Sequence, residues 1–273
     1  MNYYYLIAGL PDLSLDEDLP KIDVEEVIDT IQRNLSSLDE ASFRYLLYTN
    51  DNRNFLNVLF HEYYNFPTST FLAPATLAES VLQDYRRQQS EFPSYLCEFI
   101  RIHEDQFSSL SPRELEEILW VMFYEEAEQQ APFIANYFRF DRQIKEMAAI
   151  YNSVNYSFLP QPTTVGGKES GAIGRGKIVP TAWLREYPYL ESLGEVIATK
   201  RPDRIEKFMD RIRWDYLEDI SGYFGCEQVF AYALKLLIVV RWQQMSPEKG
   251  STHFEERLSA IEKPIRLSKP STV

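Results

Sequence analysis

The residues whose types and spacing come nearest to recognisable chemistry lie in Gly171-Ala172-Ile173-Gly174-Arg175-Gly176-Lys177-Ile178, which meets the glycine and lysine spacing of a phosphate-binding P-loop. In that motif backbone amides cradle the phosphates, the lysine reaches them, and a following Ser or Thr hydroxyl holds magnesium. Ile178 has no hydroxyl, no convincing strand leads into the loop, and Pro180 falls where the first helical turn should run. The segment therefore reads as a basic-tipped loop, with Gly166, Gly167, Lys168, Arg175 and Lys177 as a candidate binding loop. Nucleotide binding by an enzyme is a second alternative.

Other catalytic patterns fail on geometry. His61, His103 and His253 are far apart, and His61-Glu62-Tyr63-Tyr64-Asn65 lacks the second histidine of a zinc helix, so no metal is expected. In His103-Glu104-Asp105, adjacent helical residues point in different directions and cannot converge on one substrate. Cys97 and Cys226 have no CxxC spacing and read as core thiols. No G-x-S-x-G elbow occurs. The expectation is a protein with no catalytic residue and no cofactor.

Charge narrows the partners. The 28 basic and 41 acidic residues leave a net charge of −13, which repels phosphate backbones and anionic lipid headgroups. Nucleic acid is a poor partner, and a basic protein surface a better one. The amino terminus lacks the basic n-region of a signal peptide. Val229 to Val240, the most apolar stretch, contains Lys235 and falls short of the ~20 residues that cross a bilayer. A cytoplasmic protein without direct membrane insertion is expected.

The elements that must position any site are helical. Val24, Val27, Ile28, Ile31 and Leu35 form one apolar stripe at helical spacing. Ser37-Leu38-Asp39-Glu40 has the form of a capping box and should open a helix carrying Phe43, Leu46 and Leu47 inward. A polar break over 48–53 should separate it from a second apolar set beginning at Phe55. Helices are predicted over Ala75 to Arg87 and Ser94 to Phe107. Another follows a capping box at Ser111-Pro112-Arg113-Glu114, and one begins near Pro132. After a Gly- and Pro-rich loop, helices resume over Leu190 to Thr199, Asp203 to Tyr216 and Cys226 to Gln244, the last of them central and buried. Met1 to Leu10 and Gly176 to Val179 are the only stretches that could pass as short strands. The division is an N-terminal helical body over 1–158, a loop over 159–180 and a C-terminal helical unit over 181–273.

One pattern recurs. Phe43 to Leu56 runs from an aromatic helix into Asp51-x-x-Asn54, Tyr137 to Lys145 places Asp141 at the matching point, and Tyr223 to Tyr232 gives a weaker echo containing Glu227. Three copies of one helical unit are suggested. This arrangement resembles the stalk-socket proteins of the V-type and A-type rotary ATPases, the C/d family. The opening Tyr3-Tyr4-Tyr5-Leu6-Ile7-Ala8-Gly9-Leu10-Pro11 is similar to the start of an uncharacterised bacterial family associated with V-type ATPase genes. The chain departs from the stalk-socket pattern at Ile144, where asparagine would be expected, and at Leu236 to Val240, where an acidic residue would follow.

The resemblance implies an all-α fold of three pseudo-repeated units forming a funnel-like bundle. It implies a non-catalytic coupling protein between the central-stalk and membrane-ring subunits of a rotary ATPase, peripheral on the membrane through that complex. An unrelated α-helical interaction scaffold is the alternative. In either case Asp51, Asn54, Asp141 and Glu227 are expected to be structural, capping or cross-linking helices.

Overall fold

The computed structural model describes residues 2–16, 22–155 and 187–244, and the side chains of 152–155 and 244 are not described. Among these residues the secondary structure is ten α-helices and two short 3-10 turns, with no strand. The helices are α1 (Tyr4–Gly9), α2 (Val24–Asn34), α3 (Ser37–Tyr64), α4 (Glu79–Gln83), α5 (Ser94–His103), α6 (Pro112–Ala127), α7 (Pro132–Asn155), α8 (Tyr189–Ala198), α9 (Pro202–Ile220) and α10 (Cys226–Gln244). No described helix is long and apolar enough to cross a membrane.

Local chemistry explains most of the boundaries. The Asp23 carboxylate accepts the Glu25 and Glu26 amides at 3.1 and 3.2 Å and opens α2. Ser111 and Glu114 form the expected reciprocal box, with Pro112 in the first turn of α6. Asn65, in the left-handed conformation at φ 55°, stops α3. Tyr4–Gly9, one of the two segments that could have passed as a strand, is helical.

Three expectations about boundaries are corrected. The cap of α3 is Ser36, whose Oγ accepts the Asp39 amide at 3.2 Å, so the helix is capped one residue earlier than Ser37, and the Ser36 amide goes to the Tyr3 phenol in place of a reciprocal box. The polar run at 48–53 does not interrupt the helix: α3 continues for 28 residues, because Asp51, Asn52 and Asn54 turn inward and find partners on neighbouring segments. The helix expected over Ala75 to Arg87 shrinks to Glu79–Gln83, since the Thr76 and Leu77 amides are committed to Asp51.

Two apolar groupings result. The larger joins α1 to α6, the start of α7, the end of α9 and α10, with Phe230 of α10 against Phe43 and Phe133 at ring-centroid distances of 5.8 and 5.7 Å. Helix α10 is thus central, as its sparse charges required, and it packs into the core of the N-terminal helices across the expected division of the chain. The smaller grouping joins Ile144 to Ile150 of α7 with Leu190, Leu193 and Ile197 of α8 and Met209 and Ile212 of α9. Helices α7 and α9 run through both.

Candidate functional site

Asp51 lies in mid-helix, fully buried, and caps nothing of its own helix. Its carboxylate accepts the Thr76 amide at 3.0 Å, the Leu77 amide at 3.1 Å and the Thr76 hydroxyl at 2.7 Å. Asn54 exchanges two hydrogen bonds with the Leu72 backbone, at 2.9 and 2.8 Å, and Asn50 donates to the Pro74 carbonyl at 2.9 Å. Together these side chains moor the 72–77 loop to α3, a cross-linking role in place of capping. Burial pushes the Asp51 carboxyl up to about 6, and the Thr76 and Leu77 donors pull against that rise.

Asp141 is also in mid-helix and does something different. Arg213 Nε donates to it at 2.7 Å, Tyr124 Oη at 2.7 Å, and Lys145 Nζ stands 2.9 Å away. Arg213 reaches Asp210 at 3.0 Å, Asp210 accepts from Arg241 and from the Trp242 indole, and Arg241 extends to Glu206 at 3.2 Å. Burial disfavours the Asp141 carboxylate, yet Lys145, Arg213 and Tyr124 outweigh it and hold the group below its ordinary range. The alternating chain from Lys145 to Glu206 sits where the two apolar groupings meet. The echo motif found Asp141 but missed Arg213, Asp210 and Arg241. The signal that could have found the first two is the Asp210–Arg213 spacing, one turn apart on the same side as the apolar Leu217; nothing of the kind marks Arg241.

Glu227 is exposed in the first turn of α10. Gly166, Gly167, Lys168, Arg175 and Lys177 lie outside the described residues. Among the described residues no group of three or more His, Cys, Asp or Glu could hold a metal ion. Burial, together with Glu227 and Asp39, pushes the Cys226 thiol up to about 12, which keeps it protonated and a poor nucleophile.

Close to Glu227 is a feature that no sequence motif announces. The Tyr3 amide donates to the Phe224 carbonyl at 3.0 Å, and the Tyr3 phenol bonds Asp39 and accepts the Ser36 amide at 3.1 Å. These contacts gather the starts of α1, α3 and α10 at one end. There Tyr4 packs on Phe224 at 4.4 Å, while Tyr5, Tyr223 and Leu38 are 97%, 84% and 80% exposed. The flanking segments 2–12, 36–42 and 218–228 carry Asp12, Asp39, Glu40, Glu218, Asp219 and Glu227 and no lysine or arginine. A solvated aromatic patch with an acidic border is the geometry of a protein-docking surface.

No curated protein and no solved structure matches this chain. One family model matches, and it is not that of the rotary-ATPase stalk-socket proteins, which overturns the resemblance drawn from the three echoes. The echoes were short, and the two best of them serve unlike purposes, Asp51 mooring a loop and Asp141 pairing with arginine. The match spans residues 1–265, and the chain belongs to the family described as "Protein of unknown function (DUF2764)".

Proposed function

We propose that this chain is a non-catalytic docking protein that holds a basic, apolar segment of another protein against its aromatic end. The observation that carries the reading is the exposure of Tyr5, Tyr223 and Leu38 at the meeting point of three helix starts, beside segments that carry six acidic residues, of which Glu218 is paired with Lys235. Exposed apolar and aromatic side chains gathered in one place mark interaction sites, and Tyr is enriched among residues that dominate binding. The surrounding carboxylates favour lysine- or arginine-bearing partners and speed their approach. The rest of the molecule suits a rigid support, since its buried carboxylates Asp51, Asp141 and Asp210 are occupied by loop amides and by cations of neighbouring helices.

Coupling between the stalk and ring of a rotary ATPase, with the three-unit funnel and peripheral membrane position it would require, is one form of this proposal. It has no family likeness behind it and stands or falls by the partner found. The test is capture from native extract on the immobilised chain beside its Tyr5→Ser/Tyr223→Ser variant, with cross-links mapped by mass spectrometry. The expected result is a partner lost in the variant and in high salt, cross-linked to this end through a Lys- or Arg-bearing apolar segment. Recovery of stalk or ring proteins would select the coupling form. Equal capture by the two proteins would overturn the docking reading.

A further inference from the structure

A second feature, independent of the aromatic end, is an open cleft of about 330 Å³ lined by residues of α3, α6, α7, α9 and α10. It holds the ion chain described above. Three of its cations, Lys145, Arg213 and Arg241, alternate with three carboxylates, Asp141, Asp210 and Glu206. A fourth cation, Arg53 of α3, lines the same cleft with no hydrogen bond or ion pair to any described residue. The balance is four positive groups against three negative, an excess of one positive charge in a protein whose net charge is −13.

The unmatched guanidinium is not isolated. The charge of Arg53 reaches Lys145 and adds to burial and to Arg213 in disfavouring its ammonium form, with Asp141 opposing all three. Lys145 spends two of its protons on Asp141 and Tyr124, at 2.9 and 2.7 Å, which leaves one. Apolar wall is supplied by Trp120, Leu72 and Leu237. A guanidinium fork matches a carboxylate bidentately, and an apolar wall beside it suits a carbon skeleton. The excess of a single positive charge sets the valence, because a second negative charge would face Asp141, Asp210 and Glu206 without a cation left to meet it.

We infer that the cleft binds a small organic monocarboxylate, its carboxylate on Arg53 and the remaining Lys145 proton, its carbon skeleton against Trp120. The test is calorimetric titration of the full chain with benzoate, succinate and inorganic phosphate as probes, repeated on Arg53→Met, which keeps the apolar stem of an exposed residue. Benzoate is expected to bind saturably and more tightly than the two multiply charged probes. Its affinity should fall about ten- to hundredfold in the variant, the range of a charge-assisted hydrogen bond, with the melting temperature unchanged. Failure of all three probes to bind, equal benzoate affinity in the variant, or a preference for phosphate or succinate would each overturn the inference.

Discussion

Asp141 of α7 and Arg213 of α9 meet at 2.7 Å, both with side chains more than nine-tenths buried, at the seam between the two apolar groupings. On α7 the larger grouping ends at Phe138 and the smaller begins at Ile144; on α9 the smaller ends at Ile212 and the larger begins at Trp214. The pair therefore sits at the changeover on each helix, where it fixes how the two helices align. A buried ion pair is weak evidence for net stability, because desolvating both charges offsets their attraction. Its value here is in register.

Breaking the pair from one side is expected to be severe. Asp141→Ala leaves the buried Arg213 guanidinium short of its partner and should cost about 3–5 kcal/mol, as should Arg213→Ala. The double substitution should cost less than the two losses added, with a coupling energy that chemical denaturation of the four proteins would measure. Strict additivity would mean the pair is solvated and the seam wet. Acid should act in the same direction. Because the folded chain holds the Asp141 carboxyl below its unfolded value, its contribution is full above the ordinary carboxylate range and is lost as pH falls through and below that range.

Asp51 carries the opposite sign. Its folded value, about 6, lies above the usual carboxylate value, so the folded chain binds the proton more tightly than the unfolded chain does. The contribution of this group is largest in acid and is lost as pH rises through about 6. Asp51→Asn sets an amide NH2 against some of the Thr76 and Leu77 donors and should cost about 1–3 kcal/mol at neutral pH. The wild-type advantage should widen on acidification from pH 7 toward 4, by at most about 3 kcal/mol. Urea melts at several pH values would show it. An advantage that shrinks in acid would mean that the three donors outweigh burial.

These two residues also show how far the sequence could be read. Caps and stripes were legible because they are local: Ser111 with Glu114, and the apolar sides of α2, α6 and α10, follow from spacing alone. The 48–53 run misled because Asp and Asn signal a turn unless something distant satisfies them, and their partners lie about 20 to 40 residues further on, at Leu72, Thr76 and Tyr95. The same logic hid the Asp141–Arg213 pair, 72 residues apart in sequence. The aromatic end escaped because the side chains of Tyr3-Tyr4-Tyr5 read identically until another segment selects which of them to bury.

Gly194 offers a test of packing against propensity. It lies inside α8, where alanine would normally favour the helix by about 1 kcal/mol. A Cβ there would come within 2.7 Å of the Tyr151 ring, whose phenol is held by the Leu190 carbonyl at 2.9 Å. A rigid ring so anchored yields poorly, and overpacking costs about 1–3 kcal/mol. Gly194→Ala is expected to lower stability by up to about 2 kcal/mol, the difference of the two. In a Tyr151→Leu background the same change should become stabilising. A rise in melting temperature in the wild-type background would mean that the ring moves freely.

The three consecutive tyrosines of α1 and its cap should separate cleanly by role. Tyr3, 5% exposed, donates its phenol to Asp39 and accepts the Ser36 amide, so it ties α1 to the capped start of α3. Burial alone would raise the Asp39 carboxyl, but the hydrogen bonds it receives from the Tyr3 phenol, the Ser36 hydroxyl and Cys226 hold it below its ordinary value. Tyr3→Phe keeps the ring and removes the tie, and should cost about 1–2 kcal/mol by leaving the Ser36 amide and Asp39 short of a partner. Tyr5→Ser alters a side chain that stands in solvent and should change stability by less than about 0.5 kcal/mol. Partner capture should invert the ranking, falling sharply for Tyr5→Ser and holding for Tyr3→Phe at temperatures where it stays folded. If Tyr5→Ser instead unfolds the chain, the exposed ring is part of the fold and the aromatic end is not a docking surface.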